Sequence, residues 1–163
     1  MIVLGLGSNI GDREVNISTA IKMLKETNRI TVLKTSALYR SEPVGVKEQP
    51  EFLNAVLCIE TSLTPYELLT VCNDVEHRMG RIRARKWGPR NIDIDILMYN
   101  DVVLNSAALN LPHPRLHERN FVLVPLLDVM GSLPIYKGLN TEELIKANND
   151  TSKVHYFKEL IVT

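Results

Sequence analysis

WGPRNIDIDI, residues 87–96, alternates polar and apolar side chains through its final six positions. Successive side chains of an extended chain point to opposite faces. As a strand, the segment therefore sets Asn91, Asp93 and Asp95 on one face and Ile92, Ile94 and Ile96 on the other. The isoleucine face is suited to a core. The other face carries two carboxylates whose Cα atoms are about 6.5–7 Å apart at strand rise. Carboxylates held that close repel each other and require a cation, a shared proton or open solvent. A hard cation with oxygen ligands, Mg2+ above all, suits the pair. Immediately upstream, residues 78–90 contain Arg78, Arg81, Arg83, Arg85, Lys86 and Arg90 and no acid. Cations beside a carboxylate pair point to a polyphosphate held between metal and arginine, as phosphoryl transfer requires.

Upstream of this stretch the periodicities change from segment to segment. Residues 2–6 form a short apolar strand, followed by the turn formers of GSNIGD with Ser8, Asn9 and Asp12 as potential caps. Ile17, Ala20, Ile21 and Leu24 recur at helical spacing over residues 13–26. Residues 30–40 read as one β-branched strand. SEPVGVKEQPE, residues 41–51, is too rich in proline, glycine and charge for regular structure, and long loops of this kind often carry function. Residues 52–61 form a third strand. The next helix opens with Thr64 as N-cap, Pro65 at its first position and Glu67 completing a capping box. Leu68, Cys72, Val75 and Met79 form its buried stripe, and Gly80 is its stop. Downstream, residues 91–99 form the aspartate strand and 102–104 a short one. Residues 121–130 are helical around Pro125, a second capping signal opens a helix after Asn140, and 153–162 close the chain as a strand.

The order is β-α-β-β-α-β with additions. Strands two and three are joined without a helix long enough for a parallel crossover. This predicts an α+β protein with a ferredoxin-like, largely antiparallel sheet and helices on both faces, three layers in all. No linker, repeat or composition shift divides the 163 residues, so one domain is expected.

Composition narrows the function. With 19 basic and 19 acidic residues the net charge is zero. That argues against a dedicated nucleic-acid binder, which depends on excess positive charge. The basic cluster is local, and its partner is small. The two cysteines, Cys58 and Cys72, both fall at apolar positions and read as buried thiols in a reducing cytoplasm. The apolar start MIVLGLG lacks a basic region before it and reads as a strand rather than a signal peptide. No run is long enough to span a membrane.

GLGSNIG, residues 5–11, is a loose variant of the dinucleotide fingerprint. Without a parallel βαβ series it reads instead as a tight turn and helix cap. A P-loop is absent, so a bound triphosphate must be held by arginines and metal. Trp87 among cations suits a cover over a small molecule better than a nucleic-acid stacking platform. His77 and His155 read as surface or structural residues. His113, with Arg115 and Arg119 in one loop, suits an anion better than zinc. Asn54 on the polar face of the third strand suits a ligand edge. The rivals to a phosphoryl-transfer enzyme are a non-catalytic nucleotide- or RNA-binding module and an NADP-dependent reductase.

These motifs together resemble a known family, the 6-hydroxymethyl-7,8-dihydropterin pyrophosphokinases of folate biosynthesis. The resemblance rests on LGSNIGD ending at residue 12, LYRSEPVG (38–45), QPEFLNAV (49–56), VEHRMGRIR (75–83), KWGPRNIDIDIL (86–97) and LPHPRLHERNFVLVPL (111–126). It implies transfer of the β,γ-diphosphate of ATP to the hydroxymethyl group of the reduced pterin, with AMP released. It further implies two Mg2+ ions held by Asp93 and Asp95, with Arg81 and Arg90 meeting the phosphates as catalytic residues. Glu76, Arg83, Lys86, Trp87, Ile96, His113 and Arg119 are implied on the ATP side, Arg83 and Trp87 as parts of a movable cover. Ser41, Val44, Phe52, Asn54, Asp93 and Phe121 are implied on the pterin side, the two rings sandwiching the heterocycle. A cytoplasmic monomer with no nucleic-acid or membrane partner is expected. Lys86 stands where some members carry arginine and Pro114 where some carry tyrosine. These departures bear on nucleotide affinity and leave the aspartate pair untouched.

Overall fold

The computed structural model describes residues 1–43, 48–80 and 90–162. The chain begins with strand β1 (Ile2–Ser8), helix α1 (Arg13–Glu26), β2 (Ile30–Thr35), β3 (Leu38–Ser41), β4 (Phe52–Thr61), α2 (Pro65–Arg78) and β5 (Asp93–Tyr99). A hairpin of β6 (Leu104–Asn105) and β7 (Asn110–Leu111) leads to α3 (Asn120–Met130). A second hairpin, β8 (Pro134–Tyr136) and β9 (Leu139–Asn140), precedes α4 (Thr141–Ala147) and β10 (Val154–Lys158).

The main sheet runs β10-β3-β4-β1-β5, with β2 also paired to β4. Every pairing within it is antiparallel. The strands of the β-α-β-β-α-β unit therefore stand in the ferredoxin-like order, as expected. Helices α1 and α2 cover one face, where Ile17, Leu24, Leu68 and Cys72 pack with Leu4, Leu6, Ile92, Ile94 and Ile96. Each buried isoleucine of β5 contributes about 1.5–3 kcal/mol. Helices α3 and α4 cover part of the other face, where Leu123, Leu126 and Leu144 pack with Val3, Val56, Cys58 and Leu97. These are the three layers.

The local signals worked as chemistry dictates. Thr64 accepts from the Glu67 amide while the Glu67 carboxylate accepts from Thr64 N, the reciprocal capping box. Asn140 and Glu143 repeat it on α4. Asp12 caps α1 by accepting from Val15 N at 3.1 Å.

Four expectations are corrected. Residues 30–40 form two strands rather than one. Ser36 Oγ accepts from Val56 N at 2.8 Å and donates to Ala37 O at 2.7 Å, which interrupts the ladder between β2 and β3. Asn91 leaves the aspartate face, and β5 starts only at Asp93, because Asn91 Nδ2 donates to Met79 O at 2.6 Å and ties off the end of α2. β1 runs on to Ser8, so Gly7 lies inside it rather than in a turn. Only Gly11, at φ 70°, serves the turn. The short strand expected at 102–104 forms at 104–105, because Asn100 turns the chain at φ 49° and Val102 N donates back to Tyr99 O.

Candidate active site

Register builds the site. On the β1–β5 pair, Gly7 stands opposite Asp93 and Gly5 opposite Asp95. On the β1–β4 pair, Gly7 stands opposite Asn54 and Gly5 opposite Val56. Ser41 of β3 stands opposite Phe52 of β4. Residues directly opposite in an antiparallel ladder share a face. Two aspartates, two glycines, Asn54, Phe52 and Ser41 therefore share one face of the sheet. This is the face that carries α3, beyond the reach of the helix.

The missing Cβ atoms in β1 leave a floor between the carboxylates and Asn54. A Cβ on Gly7 would lie 3.2 Å from Asn54 Oδ1 and 3.5 Å from Phe52 Cδ1. A Cβ on Gly5 would lie 3.3 Å from Leu97 Cδ1. Above this floor is an open cleft lined by Gly5, Gly7, Ser41, Glu42, Phe52, Asn54, Arg90, Asp93, Asp95, Arg119 and Phe121. The glycines, Glu42, Val56, Leu97 and Val122 of this lining were missed from the sequence. For Gly5, Gly7, Val56 and Leu97 the only signal was period-two spacing along their strands, and it requires the register to be known.

Charge is distributed unevenly in the cleft. Arg90 Nη1 donates to Asp93 Oδ2 at 3.2 Å, and its guanidinium lies 5.8 Å from the centre of the Phe52 ring. The Arg119 guanidinium lies 5.5 Å from the centre of the Phe121 ring. Arg119 is lowered from the usual arginine range by burial and by Arg115, while Asp95 and Asp93 oppose that shift. His113 is held below the ordinary histidine range, first by burial and then by the Arg119 charge. Its amide donates to Leu97 O at 2.9 Å, fixing it beside the free side of β5.

Helix α3 presents Arg119 and Phe121 through contacts from the far end of the chain. Asn120 N donates to Asp150 Oδ2 at 2.8 Å, and Asn120 Oδ1 accepts from Asn148 Nδ2 at 2.7 Å. Asp128 Oδ2 accepts from Ala37 N at 3.0 Å and Tyr39 OH at 2.8 Å, tying α3 to the sheet. Residues after 130, to which the sequence assigned no chemistry, thus brace the site.

Other expected positions sort as follows. Ser41 and Asn54 are buried side by side, with Asn54 Nδ2 donating to Ser41 Oγ. Glu76 is buried on α2, and its Oε2 accepts from Ile94 N at 2.9 Å at the outer edge of β5, between the two aspartates in sequence. Ile96 packs its side chain into the α1–α2 core, away from the cleft. The Cys72 thiol, beneath β5, is pushed up to about 12 by burial, with Glu76 and Asp95 adding to the shift. His77 and His155 are exposed, as expected. Val44, Arg81, Arg83, Lys86 and Trp87 lie outside the described residues.

The residues fit a hard cation. Among the described residues no group of three or more His, Cys, Asp or Glu side chains gathers around one point. A hard cation held at Asp93 and Asp95 would leave coordination positions open to phosphate and water oxygens. Mg2+ is commonly held in this way, by one or two carboxylates with phosphate oxygens.

Residues 3–131 match the family model for 7,8-dihydro-6-hydroxymethylpterin-pyrophosphokinase. The chain is 39% identical over 156 residues to a Bacillus subtilis protein named 2-amino-4-hydroxy-6-hydroxymethyldihydropteridine pyrophosphokinase, covering 96% of this chain and 89% of that one. It is 48% identical over 132 residues to the protein of that name from Methylorubrum extorquens, covering 81% and 84% respectively. The fold is similar to that in a crystal structure of HPPK-DHPS in complex with substrates, with a TM-score of 0.70 at 14% identity. That match covers 90% of this chain and 42% of the longer HPPK-DHPS chain.

Proposed function

Because the chain belongs to the 7,8-dihydro-6-hydroxymethylpterin-pyrophosphokinase family, it transfers diphosphate from ATP to 6-hydroxymethyl-7,8-dihydropterin in folate biosynthesis, and we propose that it does so in the cleft on the α3 side of the sheet. The observation that carries this reading is the register that sets Asp93 and Asp95 across two glycines from Asn54 and Val56.

In this reading the pterin lies between Phe52 and Phe121, since a flat heteroaromatic suits two phenyl faces. Asn54, Ser41 and backbone near Val44 meet its polar edge, and Asp93 borders it. The triphosphate enters from the side of Arg90, Arg119 and His113, joined by Arg81, Arg83, Lys86 and Trp87. Glu76 and Ile96 border the nucleotide through the outer edge of β5, Ile96 by its backbone. Asp93 and Asp95 would hold Mg2+, two ions in this reading, which would supply neutralisation of the phosphate charge.

The pterin hydroxyl oxygen forms a bond to the β-phosphorus. The bond from that phosphorus to the α,β-bridging oxygen breaks, AMP departs with the electron pair, and the hydroxyl proton passes to solvent. The guanidinium of Arg90, anchored on Asp93 and lying over Phe52, places a positive charge where equatorial oxygens gain negative charge. The same guanidinium touches the pterin side of the cleft, so one residue orients both substrates. The chain acts as one catalytic domain and as a cytoplasmic monomer. No helix among the described residues is long and apolar enough to cross a membrane.

The test is AMP release from ATP and hydroxymethyldihydropterin in Mg2+, compared with Asp95→Ala. Loss of AMP release in the variant is expected. Release at the wild-type rate would overturn the metal assignment.

A further inference from the structure

We propose that Asn9 is a positioning residue that holds the phosphate side and the pterin side of the cleft in register. The inference rests on the reading of the cleft given above. Asn9 follows the last residue of β1 and is 1% exposed. Its backbone N donates to Arg90 O at 3.0 Å, and its Oδ1 accepts from Arg90 N at 2.8 Å. These two bonds reproduce a strand pairing, with a side-chain oxygen in place of a carbonyl. Its Nδ2 donates to Gln49 Oε1 at 2.8 Å and to Pro50 O at 3.2 Å. The orientation of the amide is dictated by its partners, because Arg90 N only donates and Pro50 O only accepts.

One buried carboxamide therefore grips two segments that are far apart in the chain. The first ends in Arg90, which meets Asp93 at 3.2 Å. The second leads within two residues to Phe52 and within four to Asn54. The same turn adds a third hold, as Arg13 Nη1 donates to Glu51 O at 2.8 Å. The turn is itself locked by Asn16 Nδ2, which donates to Ile10 O at 2.8 Å and Ser8 Oγ at 3.2 Å. Only a side chain with both a donor and an acceptor at this reach can serve both segments. Such groups act by fixing the spacing of reacting atoms, and errors of an ångström are costly in rate.

The experiment uses the full chain with Asn9→Asp, Gln49→Ala and the double variant. Asn9→Asp keeps the acceptor for Arg90 N and loses the donors. The Gln49 amide can turn to meet the new carboxylate, but Pro50 O cannot, so the pterin side is released selectively. Gln49 is half-exposed, so Gln49→Ala does not threaten folding. Pterin binding and binding of a non-hydrolysable ATP analogue are titrated separately in Mg2+, beside steady-state AMP release.

Pterin affinity is expected to fall about tenfold in Asn9→Asp and about threefold in Gln49→Ala. Affinity for the ATP analogue is expected to stay within about threefold. The double variant should bind pterin more weakly than Asn9→Asp, because it also removes the contact that the turned Gln49 amide keeps. Equal losses of both ligands, or pterin affinity unchanged in both single variants, would overturn the proposal. A wild-type chain that released no AMP would instead refute the reading of the cleft, so the two failures are distinguishable.

Discussion

Arg90 donates to the carboxylate of Asp93 at 3.2 Å while its guanidinium carbon lies 5.8 Å from the Phe52 ring centre. The pair joins the carboxylate face of β5 to the aromatic wall on β4, with Gly7 between them in the register. A planar guanidinium lies against a ring while its fork of N–H groups meets a carboxylate, whereas a lysine ammonium is a point charge without that fixed geometry. Arg90→Lys is therefore expected to keep the charge and lose the geometry. AMP release should fall about a hundredfold, the lower range for losing a preorganised electrostatic contact. Steady-state kinetics with each substrate varied would check this. A loss confined to ATP affinity would show that the contact to the pterin wall is idle.

Gly7→Ala places a Cβ 3.2 Å from Asn54 Oδ1 and 3.5 Å from Phe52 Cδ1. The strand conformation tolerates alanine, so folding should survive. The crowding falls on the two residues assigned to the pterin. KM for the pterin is expected to rise about tenfold with KM for ATP little changed, by the cost of crowding a packed site. Gly5→Ala meets first the Leu97 side chain, at 3.3 Å, and should do less.

His113 has its folded pKa lowered by burial and by Arg119. Its Nδ1 accepts from Arg115 N at 3.2 Å, a bond that protonation at that nitrogen would remove. The unfolded histidine binds protons more readily than the folded one. The contribution to stability is therefore complete above the unfolded value of about 6.5 and is lost as pH falls from there through the lower folded value. Urea unfolding of wild type and His113→Gln at neutral and acidic pH would check this. The wild type should lose more stability between the two conditions, since the variant lacks this titration.

Thr64→Ala removes half of the reciprocal cap on α2. The cap is remote from the cleft lining. Stability is expected to fall by about 1 kcal/mol, read by chemical denaturation, with AMP release per folded molecule unchanged. A matching loss of turnover would show that α2, which carries Glu76, transmits its fraying to β5.

Much of this molecule was legible before any coordinates. The alternation of Asp93 and Asp95 with Ile92, Ile94 and Ile96, the box of Thr64 and Glu67, and the stripe of Leu68, Cys72 and Val75 depend on neighbours two to four residues apart. At that range backbone geometry alone decides which side chains share a face. The carboxylate pair and Arg90 beside it were legible for the same reason. The β-α-β-β-α-β order limited the sheet to a few topologies.

Other features rest on partners that no local rule supplies. Gly7 read as a turn because glycine is locally permissive, and Gly5 as one more residue of the first strand. Their role as a floor depends on pairing with β4 and β5, dozens of residues away. The break at Ser36 depends on Val56, and the departure of Asn91 from its strand depends on Met79. Asn9 looked like one cap among three, yet its partners are Gln49, Pro50 and Arg90. The chain by itself determined the elements, their buried faces and the chemistry of the aspartate strand, because these follow from short-range periodicity. Tertiary structure alone decided which groups face one another across the cleft, because buried donors and acceptors must find partners wherever the packed chain brings them.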